Sequence, residues 1–265
     1  MSQVHSDGSE DWFRFYSPNP AARFQLVCFP HAGAGASFYR RWAQALPPSV
    51  ELLAVQYPGR EDRIAEDLIP DITELARAVS ASLRRIVRKQ VVLFGHSMGA
   101  TLAFEVARHL EREGIAITHL FVSAQTAPSQ HRRTKFHLQG DAVLLDEIRR
   151  LSATPMEIFE NREVCQVLLP AIRNDYRAIE TYTDDHSGRV FCPITVLLAD
   201  KDTEVTQDEA RGWSRCSHGR SATRRFSGGH FYLVDQWREV IKSIADELGV
   251  AKDLRPDVVG WPSTP

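Results

Sequence analysis

Cysteine is scarce in this chain. Its four copies, Cys28, Cys165, Cys192 and Cys216, lie far apart in 265 residues and form no C-x-x-C. That excludes a paired redox motif and a zinc ribbon, and thiols set mostly in apolar segments are expected to be buried and free rather than disulfide-bonded. Long apolar runs are also lacking: no stretch reaches the roughly eighteen residues a membrane-spanning helix needs. The N-terminus Met1-Ser2-Gln3-Val4-His5 has no apolar core of the signal-peptide kind, so a cytoplasmic protein is expected. Net charge is nearly absent, at −2, which gives no global attraction to nucleic acid or an anionic membrane. Gly33-Ala34-Gly35 has Phe38 where a dinucleotide-binding G-x-G-x-x-G needs glycine. His109, His119, His131, His137, His186 and His218 show no metal-ligand spacing, so no metal is expected. No internal repeat suggests a solenoid.

What remains is the pattern of an ordinary globular α/β protein, with 43% hydrophobic and 25% charged residues. Residues 1–11 are polar and aperiodic, a mobile tail, and Trp12, Phe13, Phe15 and Tyr16 then meet the edge of the core. Apolar strands alternate with helices: Phe24–Phe29, a helix Phe38–Leu46, Leu52–Val55, a helix Ile72–Val87 opened by Asp71 with Glu74 at capping-box spacing, and Val91–Phe94. A helix Ala100–Leu110 and a strand Leu120–Ser123 follow. This order predicts a mostly parallel sheet with helices on both faces. Between Ala127 and Arg189 there is no central-strand signal, only polar loops around helical patterns at Asp141–Leu151 and Glu163–Thr183. Residues 127–189 are therefore expected to form an inserted helical lid on a core of residues 12–126 and 190–248. The strand Ile194–Leu198, a helix near Gln207–Ser214, a strand around Thr223–Phe226 and a last helix Tyr232–Leu248 complete that core. The tail 249–265 holds three prolines and is expected to be disordered or loosely packed.

The chemistry centres on Gly95-His96-Ser97-Met98-Gly99, between the strand Val91–Phe94 and a helix. Strand, sharp turn and helix is the setting of a nucleophile elbow, in which the crowded turn leaves no room for side chains two positions before and after the serine. A serine hydroxyl needs a base, and the base needs an orienting acid. His230, in the loop Ser227-Gly228-Gly229-His230, supplies the base, and Ala199-Asp200-Lys201-Asp202 offers two acids after a buried strand. Asp202 fits the G-x-x-D turn, with Ala199 in place of glycine, while Asp200 suits a turn former that binds nearby amides. An oxyanion needs two donors. The Met98 amide is one, and the Ala32 amide in the loop His31-Ala32-Gly33-Ala34-Gly35 is the second candidate. His31 itself either shapes that loop or transfers protons. Arg84-Arg85 and Arg88-Lys89 read as a solvated, dipole-favoured helix end.

Four segments, Phe29-Pro30-His31-Ala32-Gly33, Tyr57-Pro58-Gly59-Arg60-Glu61 with Arg63, Gly95-His96-Ser97-Met98-Gly99-Ala100 and Gly228-Gly229-His230-Phe231-Tyr232, make the chain resemble a family. It is similar to the stand-alone type II thioesterases of polyketide and nonribosomal peptide assembly lines, which have the α/β-hydrolase fold. The likeness implies a hydrolase that clears stalled or wrongly loaded acyl groups from the phosphopantetheine thiol of acyl- or peptidyl-carrier proteins. In that case Ser97 is the nucleophile, His230 the base, Asp202 the orienting acid, and the amides of Ala32 and Met98 the oxyanion hole. The phosphopantetheine belongs to the substrate, and no cofactor is implied. Ala199 and Ala34 stand where the family often has glycine. The lid would cover the acyl chamber, whose expected lining is His31, Met156, Ile158 and Phe159. The enzyme is expected to act as a monomer, and Arg132, Arg133 and Lys135 are either a rim for an acidic carrier or an ordinary solvated loop. A general carboxylesterase and a transacylase or chain-releasing thioesterase share every one of these residues. A non-catalytic scaffold of the same fold would commonly have lost the serine or the histidine.

Overall fold

The computed structural model describes residues 10–151, 159–184 and 188–255. The strands are β1 (Phe13–Phe15), β2 (Phe24–Phe29), β3 (Val50–Val55), β4 (Gln90–His96), β5 (Ile117–Ser123), β6 (Ile194–Ala199) and β7 (Ser221–Phe226). They form one sheet in the order β1-β3-β2-β4-β5-β6-β7, parallel except for β1, which pairs antiparallel with β3. The chain thus has the α/β-hydrolase type of mostly parallel sheet flanked by helices, as expected. Strands β2 to β6 are almost continuously apolar because both sheet faces are covered. Alternation sends Val27 and Phe29 to the face packed under α1 (Ile72–Ile86) and α2 (Met98–Arg112). Leu26 and Cys28 go to the opposite face, with Tyr39, Trp42, Val240 and Ile244. Strand β7 is the exposed edge, and Arg224 and Arg225 on it discourage edge-to-edge pairing.

Strand order fixes the place of the functional loops. From β2 the chain moves outward to β3, then crosses back to lay β4 on the other side of β2. The loops after β2 and β4 therefore leave the carboxyl end of the sheet in opposite directions, and the crevice between them is where open α/β sheets bind ligands. The register is tight there, with Phe29 opposite Gly95. Between β5 and β6 the chain leaves the sheet to form α3 (Asp141–Leu151) and α4 (Arg162–Thr181), which share a small cluster of Leu144, Ile148, Leu169 and Ile172.

Several elements differ in detail from the sequence expectation. Residues Ala36–Gln44 form a 3₁₀ helix. The buried positions Ala36, Tyr39 and Trp42 recur every three residues, the 3₁₀ period. Asp71 caps α1 by accepting the Glu74 amide at 2.8 Å. The reciprocal capping box forms at Thr206 and Glu209, opening α5 (Gln207–Arg211), and a 3₁₀ turn Gly212–Arg215 follows. The last helix is two, α6 (Tyr232–Asp235) and α7 (Trp237–Glu247), because Gln236 leaves helical dihedrals while its side-chain amide donates to the Ser227 carbonyl. Beyond it, Val250 and Leu254 pack against the second core face, and the Arg255 amide donates to the Ala45 carbonyl. All four cysteines are free thiols, with Cys28 and Cys192 buried and Cys165 and Cys216 partly so. Among the described residues, no helix is long and apolar enough to cross a membrane.

Candidate active site

Ser97 follows β4 directly and takes φ +53°, ψ −125°. A non-glycine residue with positive φ stores strain that the surroundings must hold in place, a feature of functional turns. The holding is visible on both sides. A Cβ on Gly95 would lie 2.1 Å from the Gly99 carbonyl oxygen, and one on Gly99 would lie 2.2 Å from that of Phe29. Glycine at these two positions lets α2 start against the end of β2 and places Ser97 at the carboxyl end of the sheet. The Ser97 amide donates to the Ser123 carbonyl at 2.9 Å. Met98 is the first residue of α2, so its own amide has no partner within the helix.

His230 and Asp202 come from the loops after β7 and β6, adjacent strands paired in parallel. The Asp202 carboxylate approaches His230 Nδ1 at 3.1 and 3.2 Å, and its side chain has no exposed surface. A carboxylate accepts, so Nδ1 carries the proton and Nε2 of the neutral ring is the acceptor, on a residue that lines the cleft. Asp202 also accepts the Glu204 amide at 2.8 Å, which fixes the carboxylate. Asp200 is exposed and accepts the Gly228 amide at 2.8 Å, a turn-forming contact in the histidine loop.

Ser97, His230, Ala32, Met98 and His31 line one cavity of about 110 Å³. Its far wall comes from the inserted segment, through Phe136, Leu151, Tyr176 and Ile179. Of the other residues expected in the chamber, Met156 and Ile158 lie outside the described residues. Phe159 packs with the cluster between α3 and α4, where its carbonyl accepts from the Cys165 thiol at 3.1 Å. Among the described residues, the Ala32 and Met98 amides have no protein acceptor. Other amides close by are engaged: Gly33 N–H with Asp175, Ala34 N–H with the His31 carbonyl, and Ser97 N–H with the Ser123 carbonyl.

Beneath the cleft is a buried layer of imidazoles. His31 meets Phe38, Phe231 and His96 edge-on, at centroid distances of 4.8, 4.7 and 5.9 Å. Burial, with His230 and Arg60 acting in the same direction, lowers its pKa to about 3. His31 is therefore a neutral packing group near pH 7, which favours loop shaping over proton transfer. His96 is held well below the ordinary imidazole range, chiefly by burial. Its Nδ1 pairs with Ser123 Oγ at 2.8 Å, and Ser123 Oγ pairs with the Tyr232 hydroxyl at 2.7 Å.

The loop after β2 is braced by the segment after β3, whose residues the sequence marked as a motif without a physical role. Tyr57 donates to the Pro30 carbonyl at 3.0 Å, and Gln56 Oε1 accepts the Ala36 amide at 2.9 Å. Glu61 accepts from the Ser37 hydroxyl, and Arg60 donates to the Ala34 carbonyl at 3.2 Å. Of the basic residues considered for a rim, Arg132 is occupied by Glu209 at 2.7 Å and by the Thr203 carbonyl. Arg150 on α3 reaches Glu204 at 2.7 Å, a second tie from the insertion to the loop that carries Asp202. Among the described residues, no group of three or more histidine, cysteine or acidic side chains is placed to hold a metal ion.

A family model described as "Thioesterase domain" matches residues 24–248. The chain belongs to the thioesterase family. It is 42% identical to Thioesterase PikA5 of Streptomyces venezuelae over 96% of this chain and 91% of that protein. Among solved structures it is similar to the type II thioesterase BorB from the borrelidin biosynthetic cluster. That match has a TM-score of 0.84 and 47% identity, covering 89% of this chain and 97% of BorB. RedJ, the thioesterase of the prodiginine biosynthetic pathway in Streptomyces coelicolor, aligns with a TM-score of 0.81 and 34% identity, over 86% of each chain. As a thioesterase, the chain is a hydrolase of thioesters, and its relatives include BorB and YbtT, the latter a type II thioesterase from the yersiniabactin NRPS/PKS biosynthetic pathway.

Proposed function

We propose that this thioesterase removes acyl groups from the phosphopantetheine arm of carrier proteins in a polyketide or nonribosomal peptide pathway, clearing stalled or aberrant units. The observation that carries this reading is a serine at a strained strand-to-helix turn sharing one cleft with a histidine whose other ring nitrogen faces a buried carboxylate. Ser97 is the nucleophile. His230 Nε2 takes its proton as Ser97 Oγ attacks the thioester carbonyl, and Asp202 keeps Nδ1 protonated and stabilises the imidazolium. The tetrahedral oxyanion is met by the amides of Ala32 and Met98. Collapse expels the pantetheine thiol, which receives the proton from His230. Water, activated by the same histidine, then attacks the acyl-serine and releases the free acid. The chemistry needs no cofactor.

The insertion 127–189 acts as a lid over the acyl chamber. The acyl group enters the cavity of about 110 Å³ between Ser97 and the insertion. The carrier approaches from the lid side, and the enzyme works in the cytoplasm as a monomer. The test is intact-mass spectrometry of an acyl-loaded carrier protein incubated with enzyme, beside the matching acyl-coenzyme A and a simple oxygen ester. Faster release from the carrier than from either small substrate is expected. Equal or better turnover of the oxygen ester would move the function to a general carboxylesterase, and acyl transfer to an added amine or alcohol in preference to water would move it to a transacylase.

A further inference from the structure

The insertion and the oxyanion loop are joined by one buried ion pair. Arg60, from the loop after β3, grips Asp175 of α4 with both terminal nitrogens, at 2.5 and 2.7 Å, and the two side chains are only 7% and 3% exposed. Burial works against the Arg60 charge, but the Asp175 carboxylate outweighs it and holds the guanidinium firmly protonated. The carboxylate oxygen that takes Arg60 at 2.5 Å also accepts the Gly33 amide at 2.8 Å, and the nitrogen that gives that bond also reaches the Ala34 carbonyl. Helix α4 is seated on the same loop. Gly33 has φ +82°, and a Cβ there would lie 2.7 Å from Ile172 Cγ1. Asn174, the neighbour of Asp175, donates to the Ile69 carbonyl at 3.0 Å and adds a second tie to the core.

Gly33 N–H belongs to the peptide plane shared with Ala32. Holding it to a fixed acceptor orients that plane and so restrains ψ of Ala32, one of the two torsions that relate it to the N–H one residue earlier. We infer that Asp175 is a positioning residue of the oxyanion hole, so that Ala32 N–H is aimed at the reacting carbonyl only while α4 is seated and Arg60 holds its carboxylate. The inference rests on the reading of Ser97 as nucleophile and Ala32 and Met98 as the hole. It goes further in making competence depend on a residue of the insertion, 115 positions from its partner. Seating of the lid and readiness of the hole are then one event.

The test compares wild type with Asp175→Asn, which keeps the shape and an acceptor for Gly33 but removes the charge that Arg60 grips. Three quantities are measured with one short-acyl pantetheine scaffold. These are kcat and KM for the thioester, the inhibition constant of the trifluoromethyl ketone, whose serine adduct places an oxyanion in the hole, and the affinity of the unreactive amide. The variant is expected to lose about tenfold or more in kcat with KM within about threefold. The ketone should weaken by the factor lost in kcat/KM, and the amide should bind unchanged. Equal weakening of ketone and amide would make Asp175 a structural residue, and no change in either would remove its role; both outcomes overturn the inference. Should Asp175→Asn fail to fold by circular dichroism, Arg60→Lys, which keeps a cation but loses the two-point grip, is judged by the same ketone-to-amide ratio. Labelling of wild-type Ser97 by a fluorophosphonate separates the two layers of argument. A labelled serine with an unmoved ratio overturns this inference alone, and an unlabelled one overturns the reading of the site together with it.

Discussion

Three histidines illustrate how single residues fix the conditions under which this molecule is stable. His31, with a pKa near 3, and His119, near 4, are lowered chiefly by burial, and His96 lies well below its ordinary value for the same reason. In the unfolded chain each returns to about 6.5. Between those values the unfolded state binds protons that the folded state refuses, so stability is full above about pH 6.5 and falls as the solution becomes more acid. Thermal unfolding from pH 7 to pH 4 should show Tm falling with proton uptake greater than one. Replacing His119 with Gln, which retains a partner for Thr195 Oγ1 now held at 2.8 Å, should flatten the slope by about one proton. A Tm independent of pH over that range would contradict the burial argument. At this scale the sequence was legible where chemistry is local. The order of Ser97, the two acids and His230 and the spacing of the elbow glycines were readable, and geometry then separated Asp202, facing His230, from Asp200, facing Gly228. The role of Asp175 was not readable, because an acid on an amphipathic helix looks the same whether it faces water or a buried arginine.

At the scale of elements, the strand-turn-helix unit around Ser97 is a close-packed joint in which backbone meets backbone. A methyl group on Gly99 would fall 2.2 and 2.6 Å from the carbonyl oxygens of Phe29 and Pro30, neither of which can rotate away. Gly99→Ala is therefore expected to lower stability by about 3–5 kcal/mol, or to prevent folding, with urea denaturation as the measure. By contrast, Gly114→Ala meets no atom within 4 Å, and its cost reflects only its φ of +81°. A Gly99→Ala protein as stable as wild type would mean that α2 does not press on β2. Periodicity foresaw most elements because their apolar positions follow one period from end to end, as in α1, α2 and α3. It failed where a side chain or a change of period interrupts the pattern. The apolar face of residues 232–248 reads continuously although Gln236 turns aside to Ser227, and the helix expected at Phe38–Leu46 starts earlier, at Ala36, with the three-residue period of Ala36, Tyr39 and Trp42.

For the whole molecule, the sheet order does what no single segment could announce. Because β4 returns beside β2 while β6 and β7 continue outward, four loops distant in sequence meet at one end of the sheet. Alternation of strands and helices made the sheet legible. The seating of the insertion on it was not, since that depends on contacts such as Arg60–Asp175, Arg150–Glu204 and Arg132–Glu209, each joining residues far apart in the chain. The whole assembly converges on one claim, that an acyl group passes from a carrier's thiol to Ser97 before it meets water. The most direct measurement is rapid-quench peptide mass spectrometry of the enzyme mixed with an acyl-loaded carrier protein. The account predicts a transient acyl adduct on the Ser97 peptide, formed as the carrier thiol is freed, and no adduct or turnover in Ser97→Ala. Turnover retained by Ser97→Ala, or an adduct found on another residue, would contradict it.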